Sequence, residues 1–109
     1  MDEASLECVV VLCTVPNADV GDALARGLVE GRLAACVNRI GPIHSTYRWK
    51  GAVHAEAEHQ LLIKTTREAL GAVRDFLATS HPYEVPELIA LDATSLSEPY
   101  ARWLRDQIG

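Results

Sequence analysis

The sequence lacks the features that mark several common protein classes. Its 109 residues include no cluster of Lys and Arg, and the net charge is −5. An acidic chain without a basic cluster is a poor candidate for binding nucleic acid or an anionic membrane. No apolar run is long enough to cross a bilayer. The first residues, Met1-Asp2-Glu3, are acidic where a signal peptide would be basic. We therefore expect a cytoplasmic protein.

Cysteines are few, and their spacing matches no known framework. There are three, Cys8, Cys13 and Cys36, and no two of them form a C-x-x-C pair. Neither a disulfide framework nor a zinc knuckle is indicated. The sequence also lacks the nucleophile-elbow, dinucleotide-binding, P-loop and H-E-x-x-H motifs. We expect a protein that is not an enzyme and holds no organic cofactor.

What the sequence does contain is enough apolar material for a single domain, residues 1–109, because 49% of the residues are hydrophobic. Residues 6–14 are nearly all apolar and rich in β-branched types, which predicts a strand in the middle of a sheet. Asn17 is a good N-cap for the helix that follows, and Gly31 can end that helix.

A long two-stranded ribbon comes next. The strand pattern covers residues 34–40, 43–49 and 52–66. Gly41-Pro42 interrupts it, and Lys50-Gly51 predicts a tight turn because glycine accepts a positive φ.

The second half of the chain predicts another helix, a short strand and a last helix. Thr65 and Glu68 have capping-box spacing before the second helix, and Pro82 ends it. A strand is predicted at residues 88–93, and Ser97 caps the last helix. The predicted apolar faces are Leu70, Val73, Phe76 and Leu77 on the second helix, and Tyr100, Trp103, Leu104 and Ile108 on the last.

The order of elements defines the fold class. The predicted order is β-α-β-β-α-β plus a C-terminal helix. This order is that of an α+β fold, a ferredoxin-like split βαβ sandwich, here with a long central β-ribbon. Right-handed crossovers place both main helices on one face of the sheet. The other face, which carries Val9 and Val11 or their neighbours, is left open and needs cover.

The length of the ribbon predicts association between chains. Residues 52–66 reach about 50 Å when extended, whereas a compact domain of this size is roughly 35 Å across. The ribbon must then project, or bend at Gly41-Pro42, and a projecting two-stranded ribbon is not stable alone in water. We expect a cyclic homo-oligomer, of two or three subunits on this argument alone.

Two residues are candidate metal ligands. Cys13 ends the first strand, where its thiol could bind a soft metal or could be a buried core residue. His81 follows the second helix, where its imidazole could bind a metal or could simply be favoured by the negative end of the helix. In this topology we expect the loop after the second helix to lie at the opposite end of the sheet from Cys13. A shared site would then need two subunits, or would not exist.

Polar residues along the third strand form a second candidate region. His54, Glu56 and Glu58 alternate, so they share one strand face and could hold a divalent cation weakly. The alternative is the solvated side of a ribbon. Lys64 precedes the start of the second helix, where an anion could bind, although any capped helix has this pattern.

The loop HPYEVPE, residues 81–87, is the third candidate region. Two prolines stiffen a segment that displays an imidazole, a phenol and two carboxylates. Such a loop suits a binding cleft, or it is a rigid connection whose Tyr83 packs at a subunit boundary. Lys64, Tyr83 and Glu87 are the candidate residues for binding a small ligand.

Several sequence blocks carry a family resemblance. They are RLAACVN at residues 32–38, YRWKG at 47–51, IKTT at 63–66, HPYEVPE at 81–87 and Y-x-x-W-L at 100–104. In this order they resemble the CutA family of divalent-cation tolerance proteins, over about residues 9–104. The resemblance implies a cytosolic homotrimer whose ribbons exchange strand contacts, linked to tolerance of divalent metals and above all of copper.

The resemblance also bears on the metal ligands. Some members bind copper through a cysteine that ends strand 1 and through two adjacent histidines before the Pro-Tyr pair. Cys13 and His81 match two of these positions, and Ser80 stands where the other histidine would be.

Two functional hypotheses follow. The first is a trimeric cytoplasmic divalent-cation tolerance protein that binds copper or a similar divalent metal through Cys13 and His81. The second is a ferredoxin-like trimeric signalling or adaptor module that binds a small anionic ligand between subunits, near Lys64, Tyr83 and Glu87.

Overall fold

The computed structural model describes residues 7–109, which form a four-stranded sheet and three helices. The elements are β1 (Cys8–Val15), α1 (Ala18–Glu30), β2 (Cys36–Trp49), β3 (Ala52–Thr66), α2 (Leu70–Ser80), β4 (Ile89–Asp92) and α3 (Glu98–Gln107). The strand order is β2-β3-β1-β4, and every neighbouring pair is antiparallel. The predicted ferredoxin-like α+β fold with an added C-terminal helix is confirmed. Within the described residues, no helix is both long enough and apolar enough to span a membrane.

Helices α1 and α2 cover one face of the sheet and form the core with it. The Asn17 side chain accepts a hydrogen bond from the Val20 amide at 2.9 Å, which starts α1 as predicted. The fully or nearly fully buried core side chains are Val9, Val11, Cys13, Val15, Leu24, Leu28, Ala34, Leu61, Ile63, Val73 and Leu77. Val9 and Val11 thus face the helices, and it is their neighbours in β1 that face the open side.

The opposite face of the sheet is only partly covered. Helix α3 covers one end of it, over Cys8 and Ala35. Away from that end, β4 pairs with β1 so that Leu91 lies opposite Val10 and Ile89 lies opposite Leu12. Ile89 and Leu91 remain 47% and 49% exposed. An apolar strip on the sheet therefore stays uncovered in a single chain.

The ribbon projects beyond the body, as its length predicted. Strand β3 pairs with β1 only over residues 59–66, so residues 52–58 pair with β2 alone. Lys50 and Gly51 have φ angles of +49° and +80°, the left-handed values of a tight hairpin turn. The molecule measures 44 × 27 × 22 Å along its principal axes. Gly41-Pro42 does not end the strand, since β2 continues across it through a bulge between Ile40 and Ile43.

Two local predictions were wrong. Thr65 does not cap α2, because its hydroxyl points to the helix side of the sheet and donates to the Leu33 carbonyl at 2.6 Å. Strand β3 instead runs on through Thr66, whose hydroxyl accepts from the Ala69 amide, and Ala69 is the N-cap.

The apolar face of α3 is also rotated from the predicted one. Ala101 and Leu104 are buried, whereas Tyr100 and Trp103 are 39% and 43% exposed. The two rings pack against each other with centroids 5.5 Å apart. The helix is short and contacts the sheet along a narrow stripe, so only some of its apolar residues reach the core.

Candidate functional site

A cleft lies between the loop of residues 81–87 and the ribbon, along which it extends from Glu58 to Trp49 beside the hairpin turn. Its volume is about 570 Å³. Its wall includes three aromatic side chains, Tyr47, Trp49 and Tyr83, and three carboxylates, Glu58, Glu84 and Glu87. The cleft therefore combines apolar surface with concentrated negative charge.

His81 holds the loop against the end of β1. Its Nε2 lies 2.8 Å from the carbonyl oxygen of Thr14, and its Nδ1 accepts from the Tyr83 amide at 3.1 Å. A carbonyl can only accept, so Nε2 carries the ring proton and Nδ1 is unprotonated. His81 is only 7% exposed. Both ring nitrogens are thus used to fix the position of the loop.

The position of His81 corrects the predicted topology of the site. We expected the loop after α2 at the end of the sheet opposite Cys13, and this was wrong. Strand β3 is antiparallel to β1, and α2 returns along the sheet from the end of β3. It therefore ends beside the end of β1, where His81 contacts Thr14, the neighbour of Cys13. One chain brings the two predicted metal ligands to the same end.

Cys13 is fully buried in the core, and its thiol donates a long hydrogen bond to the Thr14 carbonyl at 3.8 Å. Burial, and to a lesser degree the negative charge of Glu87, raise the pKa of its thiol from 9.0 to about 12. The thiol is therefore protonated at neutral pH. Among residues 7–109 no three His, Cys, Asp or Glu side chains are arranged to hold a metal ion.

The raised pKa of Cys13 predicts a specific loss of stability in alkali. Between pH about 9 and about 12 the unfolded chain ionises this thiol while the folded chain keeps it protonated. The unfolded state then binds fewer protons, so the free energy of unfolding falls as the pH rises through this window. Urea unfolding at pH 8 to 11 should show a steeper fall for the wild type than for Cys13→Ala. Parallel curves would contradict this assignment.

Tyr83 and Glu58 form the main polar contact across the cleft. The Tyr83 hydroxyl donates to Glu58 Oε2 at 2.5 Å, and Glu58 is only 6% exposed. Burial comes first among the causes that raise the pKa of Tyr83, followed by the hydrogen bond to Glu58 and its charge. Tyr83 thus stays a hydrogen-bond donor over the physiological pH range. The sequence had indicated Glu58 only as part of a polar strand face.

The other two predicted ligand-binding residues lie apart from each other. Glu87 lines the cleft and accepts from the Gln60 side chain at 3.2 Å. Lys64 lies on the same strand as Glu58 but six residues further on, roughly 20 Å away, and its ammonium donates to the side chain of Asn38. Within one chain the structure brings Tyr83 and Glu87 together and leaves Lys64 elsewhere.

Comparison with known proteins decides the family. Residues 9–107 match the sequence profile of the family described as "CutA1 divalent ion tolerance protein". The chain belongs to the CutA family. It is 44% identical over 100 residues to the "Divalent-cation tolerance protein CutA" of Thermus thermophilus, covering 92% of this chain and 97% of that one.

Two further CutA proteins are similar to the chain over most of its length. The chain is 41% identical over 108 residues to the chloroplastic protein CutA of Arabidopsis thaliana, covering 97% of this chain but 59% of that protein. The crystal structure of CutA1 from Oryza sativa superposes with a TM-score of 0.93 at 37% identity, covering 98% of each chain. The CutA fold is therefore shared across nearly the whole chain.

Proposed function

We propose that the chain is a cytoplasmic homotrimer that binds a divalent metal ion, copper or a similar one, at the end of β1. The proposal rests on one contact, the hydrogen bond between His81 and the Thr14 carbonyl. This contact brings one predicted ligand beside the other, Cys13, in a chain of the divalent-ion tolerance family. A thiolate and an imidazole are donors that suit copper.

Two ligands from one chain leave the site incomplete. Transition metals in proteins usually take about four ligands, and the described residues of one chain supply no group of three. In the proposed trimer a second copy supplies the remaining donors. Two features support such an assembly: the uncovered apolar strip with Ile89 and Leu91, and the ribbon segment 52–58, which pairs with no strand except β2.

The protonation states of Cys13 and His81 have a measurable consequence for metal binding. A metal would displace the proton of the Cys13 thiol, whereas the neutral imidazole of His81 can bind it through either ring nitrogen and keep its single proton on the other. Metal binding should therefore release about one proton per site, and the affinity should rise with pH.

Calorimetric titration of Cu(II) tests this proposal. Run in two buffers of different ionisation enthalpy, it should show saturable binding with release of about one proton for the wild type. Cys13→Ser should bind at least about tenfold more weakly and release about one proton fewer, because it lacks the thiolate. Cys36→Ser, which removes a half-buried cysteine elsewhere, should bind like the wild type. Absence of saturable binding, or equal affinity for both variants, would refute the metal site.

The anion-binding alternative has less support from the geometry. The cleft carries the carboxylates of Glu58, Glu84 and Glu87, which repel an anion, and Lys64 lies outside it. A thermal-shift screen against nucleotides and small carboxylates would revive this alternative if it gave a saturable stabilisation.

The cytoplasmic location and the absence of enzymatic activity remain predictions. The names of two relatives specify other compartments, a chloroplast for the Arabidopsis thaliana protein and the periplasm for a CutA structure from Archaeoglobus fulgidus. Fractionation of cells that express the protein would test the location.

A further inference from the structure

We infer that the cleft is a second binding site, separate from the metal ligands, and that it takes a small organic ammonium ion of the aliphatic polyamine class. The inference depends neither on copper nor on the trimer. It rests on a buried carboxylate without a positive partner, on three aromatic side chains around it, and on an ammonium group of the chain itself at the rim.

The buried carboxylate is that of Glu58. It is 6% exposed, and its Oε2 accepts from the hydroxyl of Tyr83. Among residues 7–109 Glu58 belongs to no ion pair, and the one hydrogen bond to its carboxylate is that of Tyr83 to Oε2. No fully buried side-chain oxygen of these residues lacks a hydrogen-bond partner, so Oε1 is open to the cleft. A carboxylate removed from water is costly unless a positive charge or further donors compensate it. A cation in the cleft would supply that compensation.

The aromatic side chains indicate which kind of cation fits. Tyr47, Trp49 and Tyr83 line the cleft together with Glu58. The face of an aromatic ring attracts an ammonium group but offers no ligand to a metal ion. The volume of about 570 Å³ also suits an organic molecule, since a bare ion would leave most of it unfilled.

The side chain of Lys50 shows that an ammonium group fits at the rim. Its Nζ lies 5.7 Å from the centre of the Trp49 ring and 3.9 Å from Glu84 Oε2. Both members of this ion pair are more than 70% exposed, and exposed pairs of this kind contribute little stability. A ligand ammonium could therefore replace Lys50 at the rim, while a second ammonium on the same chain reaches Glu58 inside.

Isothermal titration of spermidine into the intact wild-type protein, in about 0.15 M salt to screen distant charges, tests the inference. We expect saturable binding at one molecule per chain. Glu58→Gln should weaken binding at least about tenfold, because the ligand loses its charged partner. Lys50→Gln should tighten binding about threefold, because it removes the competing ammonium from Trp49 and Glu84.

A matched control separates a real site from general attraction to an acidic chain. Glu30→Gln removes the same charge from an exposed residue of α1 that is paired with Arg26, and should bind spermidine like the wild type. Mg²⁺ at the same concentration should not displace spermidine. No saturable binding, equal weakening in Glu58→Gln and Glu30→Gln, or displacement by Mg²⁺ would overturn the inference. The gain expected for Lys50→Gln cannot come from misfolding, and Arg26→Gln, which removes the same charge from the exposed pair on α1, should not show it. This comparison decides the matter even if Glu58→Gln is unstable.

Discussion

His81→Ala should lower the free energy of unfolding by about 1–3 kcal/mol, because two backbone groups lose their hydrogen bonds to the imidazole. These are the amide of Tyr83 and the carbonyl of Thr14, which the imidazole now joins at 3.1 and 2.8 Å. The loop of residues 81–87 should also lose its fixed position, and the contact between Tyr83 and Glu58 with it. Urea unfolding at one constant protein concentration measures the loss.

Two conservative variants separate the two hydrogen bonds. The side-chain oxygen of His81→Asn can accept from the Tyr83 amide in place of Nδ1, and the amide group of His81→Gln can donate to Thr14 in place of Nε2. Each should recover about half of the stability lost in His81→Ala. If His81→Ala is as stable as the wild type, His81 does not hold the loop.

Leu91→Asp should convert the proposed trimer into monomers. Leu91 lies on the uncovered strip of the sheet and is 49% exposed in a single chain. In the assembly we expect a neighbouring subunit to cover it, and an unpaired carboxylate buried there would cost several kcal/mol per site. Light scattering should give a mass of about 36 kDa for the wild type, three times the 11.9 kDa of the chain, and close to 11.9 kDa for the variant.

The control for this prediction is Val29→Asp. Val29 is 41% exposed on α1, which lies on the other face of the sheet. This variant should keep the wild-type mass. A wild-type mass near 11.9 kDa, or dissociation of both variants, would show that the strip is not the subunit interface.

Features that depend on neighbouring residues were predictable from the sequence. The hairpin turn follows from Lys50-Gly51, and the start of α1 follows from Asn17, because each involves a few adjacent residues. The ribbon was predicted from strand length alone. Thr65 failed as a cap because hydrogen bonding to Leu33, 32 positions away in the chain, directs its side chain elsewhere.

The site was less predictable because its contacts join distant segments. His81 meets Thr14 across 67 positions, and Tyr83 meets Glu58 across 25. Strand alternation indicates which face Glu58 occupies, but not that a later loop buries it. Whether Cys13 and His81 lie close together depends on the end of the sheet at which α2 stops. The sequence-based prediction of that end was wrong.

The central proposal is a metal ion held at the end of β1 by Cys13 and His81. Anomalous X-ray diffraction from crystals grown with Cu(II) tests it most directly, because it locates the ion. We predict one anomalous peak per chain, with Cys13 Sγ and a nitrogen of His81 at about 2.0–2.3 Å, the range of protein thiolate and imidazole ligands to zinc. A peak bound by other residues, or no peak in crystals that contain copper, would contradict the proposal.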